Sequence, residues 1–385
     1  MQGVEIVNVS DRRGWNEFVD LPWRVYAGDP IWVPPIKKFV RRLLDPEKHP
    51  FWKFSRRALF LAKRGSQTVG RIAGIVDDNY NQYHREKSGA WGFFECDNDP
   101  EAAAALFSAV EEWVGEQGMT FLRGPLNPST NYEVGMLIQG FELPPTFMMT
   151  YNPPYYLSLA EAYGFYKEKD LLAMVMTRTS GAEMRQMLNR TAQRIVEKEN
   201  VRIRNANMKD LHAEIALMKD LYEEAWSRNW GFVPMSADEL FEMGENLARI
   251  IDPDLLFFVY YSDEPVGFCV IVPDINPVLR RLNGKLGILG MLKASLLYRN
   301  EIKGLRGLLF GFKPTHRQLG LPLVAFDWLN RLHMQKTQYE YLELGWNLED
   351  NHDIIQFQSD LGARVYKRYR IFGKPVGSGN GSDFD

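Results

Sequence analysis

Two segments far apart in the chain are written to one plan. Residues 58–62, a turn at 63–67 and residues 68–76 read as a β-hairpin, and residues 256–261, 262–265 and 266–272 read as a second. In each, a Val-Gly pair opens the returning strand, Val69-Gly70 and Val266-Gly267. An Asp and an Asn follow at matching offsets, Asp77 and Asn79 against Asp274 and Asn276. Such a repeat constrains the fold more than any single motif, because each copy must bury its own apolar face. A chain of 385 residues has room for two domains of ordinary size.

The flanking segments extend the parallel. The first copy opens with an alternating strand at 4–9 and a helix over 14–25 that gathers Trp15, Phe18, Val19 and Trp23. Residues 28–50 carry Pro30, Pro34, Pro35, Pro46 and Pro50 and are expected to be irregular. A helix at 101–113, a strand at 119–123 and a closing helix within 152–165 complete the copy. The second begins with a strand at 201–204, a helix at 209–226 apolar at Leu211, Ile215, Met218 and Tyr222, and a helix at 237–250. A charged helix at 180–199 reads as the connection. The expected division is 1–177, a connecting helix at 178–200, 201–375, and a mobile glycine-rich tail at 376–385.

The second copy holds the stretch with the clearest chemistry. Leu308-Leu309-Phe310-Gly311-Phe312 is a strand by composition; Pro314 stops it, Arg317-Gln318-Leu319-Gly320-Leu321 reads as a turn, and Pro322 suits the first position of a helix. A glycine turn feeding a helix aims backbone N–H groups outward at the positive end of the dipole, a seat for phosphate, and Arg317 adds a positive charge. Downstream come a strand at 339–344, Gly345-Trp346-Asn347, and a helix opening near Asn351 and ending at Gly362.

Arg317, Gly320 and Pro322 resemble the acyl-CoA loop of the GNAT superfamily of N-acyltransferases, with Pro at a place the family gives to Gly or Ala. The spacing of Asn351, Ile354, Phe357 and Gly362 resembles the second half of the same core. The resemblance implies an α/β class of two tandem GNAT-like domains, each a mixed, mostly antiparallel sheet flanked by helices. It also implies acyl-CoA or acetyl-CoA as co-substrate, held by Phe312, Arg317, Gln318, Leu319, Gly320, Leu321 and Asn351, with the backbone of Phe310 and Gly311 polarising the thioester carbonyl. Glu343 on the next strand is the candidate base, or else a surface carboxylate. The family's Tyr that protonates the leaving thiolate falls at Gln358, which is no acid; Tyr366 and Tyr369 come later without an assignable role. The whole-chain layout also resembles a bacterial family of two-domain GNAT-like proteins that takes in ceramide-forming N-acyltransferases. Tandem-GNAT enzymes that transfer aminoacyl groups to peptidoglycan share the layout, but the acyl-CoA loop argues against that reading.

The copies differ where chemistry would occur. The first has Glu95-Cys96-Asp97-Asn98-Asp99-Pro100-Glu101 ahead of its helix, four carboxylates that would repel a pyrophosphate. It is expected to be structural, or to wall the acceptor site. Its proline-fixed loops hold Asn127, Asn131 and Tyr151, either a polar recognition surface or a self-satisfied loop. Trp230 and Phe232 either line the acceptor site or pack in the core. The insertion at 276–306 interleaves leucines with Arg280, Arg281, Lys285, Lys293, Arg299, Lys303 and Arg306, whose stems are expected to reach outward; it either covers a long acyl chain or meets a membrane surface, or packs on its own domain.

Composition removes other classes. With 45% hydrophobic and 25% charged residues the chain is globular, and a net charge of −3 without a long basic run argues against nucleic acid. Six scattered histidines lack metal-ligand spacing, and His316 is the one near the loop. Cys96 and Cys269 sit in apolar runs as buried thiols, in keeping with a reducing compartment. No signal segment or eighteen-residue apolar run is present, so a cytoplasmic location is expected, with membrane association at the inner face as an option. The expected activity is transfer of an acyl group from CoA to a small-molecule or lipid amine, without a metal. The alternative is a non-catalytic acyl-CoA-binding or scaffolding protein.

Overall fold

The computed structural model describes residues 3–377, and the chain in it divides into two units that are each discontinuous in sequence. The first takes residues up to 171, 279–294 and those from 367 on; the second takes 172–278 and 295–366. Beyond Gly377 the expected mobile tail lies outside the described residues.

In the first unit β1 (Val4–Asn8), β2 (Ser55–Arg64), β3 (Gln67–Asp77) and β4 (Ser88–Cys96) pair antiparallel in that order. β2 and β3 are longer than their apolar cores suggested, leaving a tight turn at Gly65-Ser66. β5 (Phe121–Gly124) runs parallel to the start of β4, from Ser88↔Phe121 to Ala90↔Arg123. β6 (Leu126–Asn127) pairs with β7 (Glu133–Val134), and β8 (Met136–Gln139) joins the last strand of the chain. β9 (Tyr166–Thr177) leaves the first unit after Leu171.

The helix Pro100–Glu116 covers this sheet. Asp99 caps it by accepting from the Ala102 N–H, and Pro100 stands at its start where no N–H is needed. Ala102, Ala103, Leu106, Phe107, Val110 and Val114 form its buried stripe against Trp91, Phe94 and Phe165. Two expectations need correction. The helix expected over 14–25 is broken into Arg12–Asp20 and Pro22–Val25, because Pro22 cannot donate to continue the ladder. The proline-rich 28–50 segment contains the helix Lys37–Leu44, in the window between Pro35 and Pro46 where no proline interrupts it.

In the second unit β10 (Val201–Asn205), β11 (Leu256–Tyr261), β12 (Glu264–Pro273) and β13 (Gly304–Phe312) form an antiparallel run, and β14 (Tyr341–Leu348) joins β13 in parallel. Both units thus have mixed, mostly antiparallel sheets with one parallel step. β15 (Arg364–Pro375) passes into the first unit after Tyr366, where Phe372 to Pro375 pair with β5. The charged segment near 180–199 forms the helix Ala182–Lys198, which belongs to the second unit and packs along the helix Leu321–Gln335. Asn189 donates to the buried Asp327 at 3.1 Å, and Arg331 pairs with the same carboxylate at 3.0 Å.

His333 on that second helix is fully buried, and its Nε2 lies 3.2 Å from the Tyr339 carbonyl oxygen, to which it donates. Burial first, and then the nearby Arg178 guanidinium, push its pKa down to about 4 from the usual 6.5. The native state therefore binds fewer protons than the unfolded state between those two values, and stability falls as pH drops through that window and levels off below it. The expected loss is up to about 3 kcal/mol. Urea denaturation at stepped pH should show it in the wild type and not in His333→Gln; the same slope in both would refute the assignment.

Candidate active site

The second unit's parallel pair sets up the site. β13 and β14 stay in register only from Gly304↔Tyr341 to Gly307↔Leu344. On its other flank β13 skips one residue against β12, since Val270 faces Leu309 while Ile271 faces Gly307. Leu308 is the extra residue, and a bulge there bends the strand. The remainder of β13, including Phe310, Gly311 and Phe312, stays paired with β12 while its register with β14 has ended. Phe310 is half-buried and lies 6.2 Å from the Phe326 ring, which meets Phe357 edge-on at 5.2 Å. That contact ties the wedge to the helices Leu321–Gln335 and His352–Asp360.

β13 leads into a short 3₁₀ helix, Pro314–Leu319, and then Gly320. Gly320 has φ +74°, a left-handed conformation that glycine adopts freely and L side chains rarely do, and a Cβ there would stand 2.7 Å from Ile195 Cδ1. The helix starts at Leu321, placing Pro322 in its second position rather than its first. Gln318 and Leu319 are exposed, Leu321 is buried beneath the turn, and His316 packs edge-on to Tyr261. Arg317 donates to the carbonyls of Phe312 at 3.2 Å and Ala225 at 2.5 Å. Both partners are neutral, so the guanidinium braces the turn while keeping its charge for a further anion.

Glu343 occupies the last rungs before the strands part. It is fully buried, which removes the surface-carboxylate reading. Arg306, its register partner, places Nε 3.7 Å from Glu343 Oε1, and the Tyr366 hydroxyl hydrogen-bonds Oε2. One rung back on the same face, Tyr341 donates to Asp274 Oδ2 at 2.7 Å. Arg306, expected among the outward-reaching cations of the insertion, is instead buried within β13, where it faces Glu343, and Tyr366 had no assigned role. The available signal was a charge of each sign, Arg306 and Glu343, inside two neighbouring apolar strands.

Asn351 stands at the start of the helix His352–Asp360 with its side chain exposed. Gln358, at the family's tyrosine position, is buried, and its Oε1 accepts from Asn347 Nδ2 on β14 at 2.9 Å. The amide pair fastens helix to strand and offers no acid. Phe232 is buried 5.3 Å from the Tyr222 ring, within the core of the unit, and Trp230 is half-buried beside it in sequence.

In the first unit the equivalent wedge is filled by its own chain. β4 and β5 have register partners only up to Ala90↔Arg123, and β6 crosses the place where they part. Asn127 Oδ1 accepts from the Phe93 N–H at 2.6 Å, and a Cβ on Gly92 would stand 1.7 Å from the Leu126 carbonyl oxygen. The acidic loop is neutralised internally: Arg64 binds Asp99 at 2.6 Å and Glu101 at 2.7 Å, and Arg24 binds Asp97 at 3.0 Å. Burial raises the Glu95 pKa against the opposing pull of Arg71. Tyr151 donates to Asp29 at 2.9 Å, and the Asn131 N–H donates to Ser129 Oγ at 3.3 Å. Asn127 and Tyr151 thus bond within their own unit through their side chains, and Asn131 does so through its backbone.

Comparison with known proteins adds whole-chain relatives. No protein-family model matches the chain. It is 31% identical over 375 residues to protein YghO of Escherichia coli K12, covering 93% of this chain and 92% of that protein. It is 30% identical over 384 residues to the bacterial ceramide synthase of Caulobacter vibrioides, covering 97% and 98%. Among solved structures it is similar to a tandem GNAT protein from the clavulanic acid biosynthesis pathway, with TM-score 0.56 and 12% identity over 99% of this chain and 100% of that one. A GCN5-related N-acetyltransferase from Anabaena variabilis gives TM-score 0.51 and 10% identity over 97% and 73%. At those identities the structures establish a shared fold, the tandem GNAT architecture.

The plug in the first unit is testable by itself. Asn127→Ala strands the Phe93 amide and should lower stability by about 1–3 kcal/mol, whereas Asn127→Asp, which keeps the acceptor oxygen, should recover most of it. Chemical denaturation of the two variants decides; equal losses would mean the hydrogen bond is not what the position supplies.

Proposed function

Because the chain has the tandem GNAT fold and belongs to the family of YghO and the Caulobacter bacterial ceramide synthase, we propose that it transfers a long acyl group from CoA to the amine of a long-chain amino alcohol. The observation that carries the reading is the wedge between β13 and β14, which opens directly beside Glu343 and leads to the Arg317–Gly320 turn. In this reading the pyrophosphate of CoA lies on the N–H groups of the turn and on Arg317, with Gln318, Leu319 and Asn351 around it. The thioester carbonyl enters the wedge, where backbone amides of Phe310 and Gly311 polarise it.

The amine then attacks the carbonyl carbon, the C–N bond forms, and the C–S bond breaks. The amine loses one proton and the departing thiolate takes one up. Tyr366, half-buried and hydrogen-bonded to Glu343, is the group that carries this proton between them, with Glu343 behind it as the base. Arg306, 3.7 Å away, orients the Glu343 carboxylate. This arrangement replaces the family's tyrosine, whose place is taken by Gln358. Engagement of Gln358 with Asn347 favours the second reading, an acyl-CoA-binding protein without turnover.

Purified protein should be given palmitoyl-CoA and a long-chain amino alcohol, with release of CoA thiol and formation of the amide followed together. Arg317→Glu should weaken CoA binding at least about tenfold by calorimetry, and unchanged affinity would remove the turn as the donor site. Glu343→Gln and Tyr366→Phe should lower kcat by about 10²–10⁴-fold with donor affinity kept and the fold intact by circular dichroism. Binding of palmitoyl-CoA without turnover of any amine would select the second reading.

A further inference from the structure

The helix Ile288–Glu301 lies within the insertion between β12 and β13 and has no buried residue. Ile288, Leu289 and Leu296 are 76%, 82% and 77% exposed, the greatest exposures of any large apolar side chain among the described residues. Met291 and Leu292 are 54% and 59% exposed. At 100° per residue these five positions share one side of the helix, together with Ser295 and Arg299. The two flanks of this face are anchored: Lys293 donates to the Arg281 carbonyl and Tyr298 to the Ile250 carbonyl, each at 2.7 Å. Five large apolar groups on one outward face form a patch that water disfavours.

Charge indicates what covers it. From Asn276 to Lys303 the chain carries six basic side chains, Arg280, Arg281, Lys285, Lys293, Arg299 and Lys303, against one carboxylate, Glu301. An apolar protein partner would not call for that bias, whereas an anionic bilayer does, since its headgroups meet the cations while the leucines enter the acyl boundary. At fourteen residues the helix is too short to span, and among the described residues no helix is long and apolar enough to cross a membrane. We propose that this face is a peripheral docking surface for anionic phospholipid, with the helix lying in the plane of the interface.

The test is vesicle flotation with full-length protein, using phosphatidylcholine alone and phosphatidylcholine mixed with phosphatidylglycerol, without CoA or amine. The protein should float with the anionic vesicles, and the partition coefficient should fall at least about tenfold on pure phosphatidylcholine and in the triple variant L289E/L292E/L296E. The replaced side chains are exposed, so the variant should keep the wild-type melting temperature. Failure of the wild type to float would overturn the proposal, as would equal flotation of the triple variant. A concentration-dependent dimer in sedimentation, lost in the variant and unaffected by lipid, would overturn it in favour of a second copy of the chain. The result does not depend on acyl transfer, so either proposal can fail alone.

Discussion

Two parallel strands remain hydrogen-bonded only while both keep the same bend, and one inserted residue is enough to part them. In the second unit that residue is Leu308. The register with β14 runs through Arg306↔Glu343 and ends at Gly307↔Leu344, while pairing with β12 continues to the end of β13. The bulge therefore opens the sheet on one side only. Everything attributed to the site, from the limb carrying Phe310 and Gly311 to the turn at Gly320, is placed by that opening.

A buried carboxylate beside the opening is costly unless its charge is met. Glu343 is met by Arg306 across the last rungs and by the Tyr366 hydroxyl. Removing one partner from such a buried pair costs about 3–5 kcal/mol, more than most surface changes, so the pair is a fixed part of this unit whatever it does chemically. The pair stands at the strand divergence, and Tyr366 beside it is only half-buried.

The same device appears in the first unit with the opposite outcome. β4 and β5 also part after a few rungs, yet β6 occupies the gap and Asn127 takes the amide that would face a ligand. At the following helix Asp99 already supplies the negative group that a dipole attracts, and Arg64 holds it. The same strand arrangement recurs in both units, while the place where the parallel strands part is closed by the chain's own atoms in the first.

Much of this was legible in the sequence because it depends on local rules. The paired Val-Gly hairpins, the apolar stripe at Leu106, Phe107 and Val110, and the Gly320 turn each follow from spacing and from the special freedom of glycine. The repeat itself marked the tandem architecture, and the four carboxylates ahead of the first unit's helix marked the difference between the copies. What only the tertiary structure decided are contacts between residues distant in sequence: Arg306 with Glu343, Asn127 on Phe93, Gln358 with Asn347. It also decided that residues after Tyr366 belong to the first unit and residues after Leu171 to the second, a division that no sequential cut can express. A strand's composition says that it is buried in a sheet, but its partner is chosen by which edge is free when the rest of the chain has packed, and that choice is not written in the strand.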